Sequence, residues 1–302
     1  MSMRYWIVLI VIGAAFGGSF GFNEYLLGYF GAFTVSAVRI ALGAIGCWAW
    51  IFATQRNAYV SLSTMPKLAV FGTFQFAAPF SILPLAQEHI ASSTAGIANA
   101  LTPAAVLLIT HIWPGGARAT LQKFLGALIG ILGVLFLVAE NAASSGADGA
   151  FVLLAVCAPI SYGIALNIVR SFRGIDPIVF TTWGMTFGAF LMLPIAYIVD
   201  GQPEIPSVQT ALALATLGFI LTSAAFLVMY SILPTVGALN LSLVTFVAPV
   251  FALLIGVFEF HEVLSVSQIL GTSLILFALV VIDGRAAAIF RVRASSGIPE
   301  TM

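Results

Sequence analysis

Arg4-Tyr5-Trp6-Ile7-Val8-Leu9-Ile10-Val11-Ile12-Gly13-Ala14-Ala15-Phe16-Gly17-Gly18-Ser19-Phe20-Gly21-Phe22 opens the chain with one cation and then carries no charge before Glu24. As a helix the uncharged part spans about 27 Å, close to the roughly 30 Å of a bilayer's hydrocarbon core. A cleaved secretory leader also begins with a cation and an apolar run. Here Gly13, Gly17 and Gly21 recur at the four-residue spacing that lets two helices approach closely. Removing the segment would also leave nine spans and put the remaining N-terminus outside. A retained first span is expected.

Outward from this segment the chain divides into apolar stretches at 5–22, 32–53, 66–86, 90–112, 121–139, 150–169, 177–199, 207–228, 233–257 and 264–282, ten spans in all. With the N-terminus in the cytoplasm, Arg4, Arg56, Lys67, Arg118, Lys123, Arg170, Arg173, Arg285, Arg291 and Arg293 all fall inside. Glu24, Glu88, Glu140, Asp148, Asp200, Glu204, Glu259 and Glu262 collect outside, with no Lys or Arg among them. That is the partition the positive-inside rule describes. A missed or invented span would destroy it. The expectation is an all-α protein of the bacterial inner (plasma) membrane with ten transmembrane helices and both termini cytoplasmic.

Composition narrows the function. Charged residues are 7% and apolar residues 61% of the chain, against about 25% charged in soluble domains. Formal net charge is zero, so no basic surface is available for nucleic acid. No G-x-x-x-x-G-K-[ST] phosphate cradle occurs, and His261-Glu262 lacks the second histidine of a zinc motif. Neither cofactor, metal nor enzymatic activity is expected. Cys47 and Cys157 sit in apolar spans without CxxC spacing and are expected to be buried, inert thiols.

Laid on itself at an offset near 146, the chain matches Leu101-Thr102-Pro103-Ala104 with Val247-Ala248-Pro249-Val250, and Gln122 with Gln268. Five spans per half imply that the halves cross the membrane in opposite directions, the inverted repeat of secondary transporters. Residues 1–146 and 147–285 form the two repeats, and 286–302 form a cytoplasmic tail.

The run Ala91-Ser92-Ser93-Thr94-Ala95-Gly96-Ile97-Ala98-Asn99-Ala100-Leu101-Thr102-Pro103 resembles the fourth span of the drug/metabolite transporter superfamily, EamA type. Gly237-Ala238-Leu239-Asn240-Leu241-Ser242 through Pro249, Glu262, and Gln268-Ile269-Leu270-Gly271 resemble its ninth and tenth spans. Arg39 and Asp176-Pro177 also look like that family. One departure is that Pro114-Gly115-Gly116 stands where the first half would carry a counterpart of Glu262. Because Glu262 lies in a loop, the lack of a counterpart is not expected to affect transport. The resemblance implies a ten-helix carrier working by alternating access. Its YddG-like branch, which exports aromatic amino acids, is the nearest match in general likeness. Other metabolites or drugs, and a non-transporting membrane protein, are the alternatives.

Candidate site residues follow from polar or helix-breaking groups within spans. No Asp or Glu lies mid-span, which argues against proton-driven efflux and for a uniporter or facilitator of neutral or zwitterionic solute. Arg39, the cation at membrane depth, suits either a substrate carboxylate or a structural role, snorkelling or bonding to carbonyls. Pro79, Pro103 and Pro249 remove backbone donors and free the carbonyls of Gln75, Asn99 and Thr245, where the chain can kink or pivot. Gly96, Asn99 and Pro103 share one helical face, as do Ser242, Thr245 and Pro249. Phe76, Phe80 and Pro84 correspond in register to Thr222, Phe226 and Tyr230. Gln75, Phe80, Asn99, Tyr162, Phe226, Tyr230 and Thr245 are the expected substrate-binding residues, and Trp183 is read as packing. Small-residue pairs such as Gly126 and Gly130 suit close helix packing or a weak homodimer, so a monomer or weak homodimer is expected.

Overall fold

Inside a bilayer each backbone N–H and C=O must find its partner within the protein, and a chain this apolar can achieve that locally only as helix. The computed structural model describes residues 3–145, 148–172, 174–241 and 244–283, with backbone alone at 138, 140–145, 148, 233, 237–240 and 246. Among them every regular element is helical: α1 (Met3–Leu27), α2 (Ala32–Ala53), α3 (Met65–Gly72), π1 (Thr73–Ala77), α4 (Ala78–Gln87), α5 (Ser92–Asn99), α6 (Thr102–Ile112) and α7 (Leu121–Ser145). After these come α8 (Asp148–Val169), α9 (Pro177–Val199), α10 (Val208–Ala215), π2 (Thr216–Ala224), α11 (Ala225–Leu241), α12 (Val244–Glu259) and α13 (Val266–Asp283). Seven continuous helical stretches are long and apolar enough to cross a membrane, and three shorter apolar helices cover Leu121–Leu137, Val247–Glu259 and Val266–Ile282. The chain is a multi-pass membrane protein.

Three expectations about the spans need correction. The first span does not stop at Phe22: α1 runs to Leu27 and carries Glu24 on the helix, because no glycine or proline follows until Gly28. The eighth span does not end near 228. Helix continues through π2 and α11 to Leu241, since Val228 to Leu233 contains no breaker and Pro234 is accommodated inside α11. The fourth span is two helices, α5 and α6, separated at Ala100–Leu101, and Pro103 stands in the first turn of α6 rather than at a kink inside a helix. Pro249, by contrast, is inside α12. Ser242, Arg173, Arg285, Arg291, Arg293 and the 286–302 tail lie outside the described residues.

Helices pack at glycines. A Cβ on Gly133 would meet the Gly271 carbonyl oxygen at 2.7 Å, and one on Gly271 would meet that of Gly133 at 2.7 Å, so α7 and α13 cross backbone to backbone. Gly126 packs on Val281 and Ile282 within the same chain. Cys47 is buried, its Sγ 3.8 Å from Met185 Sδ. Cys157 is exposed on the surface of the bundle, contrary to expectation, because apolar periodicity cannot separate a lipid-facing side from a core-facing one.

Candidate functional site

Pro79 and a matched irregularity shape the middle of the bundle. In π1 the ladder steps five residues, Ala78 N–H donating to Thr73 O. In that register the donor missing at Pro79 belongs to the carbonyl of Phe74, not of Gln75 as α-helical spacing suggests. Ser161 of α8 supplies the replacement, its hydroxyl donating to Phe74 O at 2.7 Å. Span eight contains π2 at the corresponding depth with no proline to cause it, and there Thr222 Oγ donates to Leu217 O five residues back at 2.8 Å. π-Helical turns leave side chains pointing where a regular helix would not place them.

Between π1 and π2 stands Arg39. It lies seven residues into α2, about 10 Å from the helix end, and is 4% exposed. It does not snorkel. Its Nε–H donates to Thr222 Oγ1 at 2.9 Å, and its guanidinium carbon stands 3.9 Å from the Phe80 ring centroid. Among the described residues no carboxylate lies within ion-pair distance of it; the one ion pair found joins Arg56 to Asp176. A buried cation without a counter-charge is costly, partly offset by the aromatic face.

Aromatic rings extend from that face. Phe80 meets Phe76 at 5.9 Å, Phe76 meets Phe226 at 5.4 Å, and Phe226 meets both Phe16 at 5.4 Å and Tyr230 at 6.2 Å. Tyr230 also stands against Phe180, 5.9 Å away. Tyr162 of α8 packs on the same cluster and lies within electrostatic reach of Arg39. The structure thus brings Arg39, Phe80, Tyr162, Phe226 and Tyr230 together, and adds Thr222, Phe76 and Phe16. Thr222 could have been found from the register match of spans three and eight; the π turns had no sequence signal beyond Pro79.

The other expected residues sit apart from the rings or beside them. Gln75, next to Phe76 on π1, is 8% exposed and its Oε1 has no donor. Asn99 is the half-buried last residue of α5, following the buried Ile97 and Ala98. Its side-chain oxygen also lacks a donor, while its carbonyl accepts from Thr102 Oγ1 at 2.7 Å. Thr245 is half-buried and Pro249 buried on α12, which packs against α1 and α5. Trp183 packs edge-on against Trp48 at 5.2 Å and donates to Ala58 O. A separate cleft of about 360 Å³, lined by Pro66, Lys67, Val70, Trp113, Asn167, Ile168 and Ser171, opens at the helix ends and includes none of the aromatic cluster.

A multi-pass helical bundle with a cation and aromatic rings buried at its centre has the form of a membrane carrier. A profile of the EamA-like transporter family matches residues 4–139 and again 150–283. The chain belongs to that family and is a transporter of the drug/metabolite type. It is 24% identical over 80% of its length to YoaV, an uncharacterised transporter of Bacillus subtilis, covering 83% of that protein. An uncharacterised transporter of Archaeoglobus fulgidus is 23% identical over 93% of this chain and 99% of its own. Protein PecM of Dickeya dadantii is 22% identical over 72% of this chain and 73% of its own. A solved crystal structure superposes with a TM-score of 0.64 over 93% of this chain and 98% of that one, at 20% identity, a likeness of fold alone.

Proposed function

We propose that the chain carries neutral amino acids, aromatic ones preferred, outward across the bacterial inner membrane by alternating access, without nucleotide or a proton gradient. The observation that carries this reading is Arg39, buried over Phe80 with no carboxylate opposite it among the described residues. A substrate carboxylate would supply the missing counter-charge. The ring of the same substrate would pack among Phe76, Phe226, Tyr230 and Tyr162. An ammonium group brings donors, which Gln75 Oε1, next to Phe76, lacks.

The architecture we infer is ten spans, N-in and C-in, as two inverted five-helix halves, 1–146 and 147–285, acting as a monomer or weak homodimer. Support comes from the twofold family match and from contacts that come in corresponding couples. α1 packs on α12 as α8 packs on α5 and α6; α2 packs on π2 as α9 packs on α3 and π1; α2 packs on α9, its own counterpart, and α7 on α13. Inversion also accounts for the helix ends. Asp200, after α9, accepts from Thr34 N–H at the start of α2, while Arg56, after α2, meets Asp176 at the start of α9.

The test is uptake of a labelled amino-acid panel by proteoliposomes. Saturable phenylalanine or tryptophan uptake supports the reading. No amino-acid uptake by correctly inserted protein refutes it and leaves other metabolites or drugs of the same superfamily as substrates.

A further inference from the structure

A guanidinium carries N–H donors around its edge and no acceptor, so whatever meets Arg39 in its plane has to accept. One donor is already committed, the Nε–H, to Thr222 Oγ1 at 2.9 Å. Thr222 is fully buried and gives its own proton to Leu217 O at 2.8 Å. Its oxygen is thereby fixed as the acceptor of Arg39. The reach of five residues back to Leu217 belongs to the π turn. On α-helical backbone the hydroxyls of Thr182, Ser231 and Ser273 return to the carbonyl four residues back.

The methyl group of Thr222 is held as well. Gly43 of α2 leaves it room: a Cβ there would stand 3.1 Å from that methyl. Across the same crossing a Cβ on Gly218 would collide with Leu42 Cβ, so α2 and π2 approach at two glycines. Thr222 therefore sets the rotation of the guanidinium in its own plane, while Phe80, 3.9 Å from the guanidinium carbon, covers one face. Among the described residues the Nε bond is the one hydrogen bond the guanidinium makes, and no carboxylate lies within ion-pair distance of it. A carboxylate pairs with a guanidinium either side-on, through Nε and one Nη, or end-on, through both Nη groups. With Nε taken, the end-on edge is the one left.

We propose that Thr222 is a positioning residue for transport: by holding Arg39 at Nε it reserves the Nη1–Nη2 edge for the substrate, whose carboxylate is met end-on by two parallel hydrogen bonds. This rests on the amino-acid reading of the site. It adds that the site selects for the carboxylate, and that the selection is lost when Arg39 loses its hold on π2 even though Arg39 itself is intact.

The experiment is uptake of labelled phenylalanine by proteoliposomes of the full-length protein, with unlabelled phenylalanine or phenylalaninamide as competitor. The amide keeps the ring and the ammonium group and lacks the carboxylate. Wild type is expected to prefer the acid by about tenfold or more, the effect of a charged hydrogen bond. Thr222→Val keeps the shape of the side chain and removes the acceptor. Its KM for phenylalanine is expected to rise about tenfold with little change in maximal rate, and its preference over the amide to shrink toward none. Thr222→Ser keeps both hydrogen bonds and is expected to restore KM and preference to within about threefold of wild type. Should Thr222→Val not fold, Thr222→Cys takes its place, because a thiol is a weak donor and acceptor; its KM is expected to rise about threefold or more. Wild-type KM and preference in the valine variant, or in the cysteine variant that replaces it, overturn the proposal. So does a fall in maximal rate with both competitors weakened alike, or a serine variant as impaired as valine, either of which would assign Thr222 to helix packing. Each of those outcomes leaves wild-type phenylalanine uptake standing and sinks this proposal alone. Wild type that takes up no phenylalanine sinks the amino-acid reading and this proposal with it.

Discussion

Replacing Arg39 with methionine separates a substrate-binding cation from a structural one. The side chain is 4% exposed, so its removal acts in a desolvated setting. The variant loses a charged hydrogen bond to Thr222, worth about 1.5–3 kcal/mol. It also loses the contact with Phe80, worth about 2 kcal/mol when desolvated. Against these stands relief of a buried charge with no carboxylate partner among the described residues, several kcal/mol in effective terms. Methionine is unbranched and fills irregular space. The opposing contributions nearly cancel, so Arg39→Met should unfold in detergent within about 4 °C of wild type, the shift that 1–2 kcal/mol produces in a chain of this size. Transport should respond differently, because removing one partner of a buried charge pair costs about 3–5 kcal/mol. At about 1.4 kcal/mol per tenfold, phenylalanine flux should fall a hundredfold or more. The assay pairs thermal unfolding with flux in proteoliposomes of matched protein content. A variant that unfolds far below wild type would show the cation to be structural. One that keeps its flux would refute the carboxylate role outright.

Gln75→Leu removes a buried acceptor that has no donor and should leave stability unchanged or raise it by about 1 kcal/mol, while flux falls; loss of stability by thermal unfolding would contradict this. Gly271→Val places a branched side chain against the Gly133 backbone and should cost about 3 kcal/mol, the upper end for overpacking, read as a fall in monodisperse yield on size-exclusion chromatography. Asp200→Ala takes a charged acceptor from Thr34 N–H at the start of α2 and should lower stability by about 1–2 kcal/mol. Arg56→Ala breaks an ion pair whose side chains are 37% and 35% exposed and should change stability by less than about 1 kcal/mol in thermal unfolding.

Much of this molecule was legible in residue order because a bilayer leaves the backbone few choices. Apolar length placed most of the helices, and Pro66 and Pro177, near the expected starts of the third and seventh spans, stand in the first turns of α3 and α9, where the ring costs no hydrogen bond. The register match of Phe76 and Phe80 with Thr222 and Phe226 identified two faces that do meet, joined by the Phe76–Phe226 contact. What could not be read is rotation and local winding. Cys157 looked buried because lipid-facing and core-facing sides are equally apolar. π2 arises without proline, so Thr222 could not be aimed at Arg39 from spacing alone. Glu24 looked like a loop acid until α1 was seen to run past it, and its approach to Glu262 spans more than two hundred residues of sequence. Long-range side-chain pairs of that kind carry no periodic signal.

The most direct test of the carrier reading is counterflow of labelled phenylalanine into liposomes preloaded with unlabelled phenylalanine, with equal Na⁺ and equal pH on both sides. The site built on Arg39 predicts rapid, saturable accumulation of label by wild type and near-absence of it in folded Arg39→Met. Accumulation no faster than in protein-free liposomes, from correctly inserted protein, would contradict it.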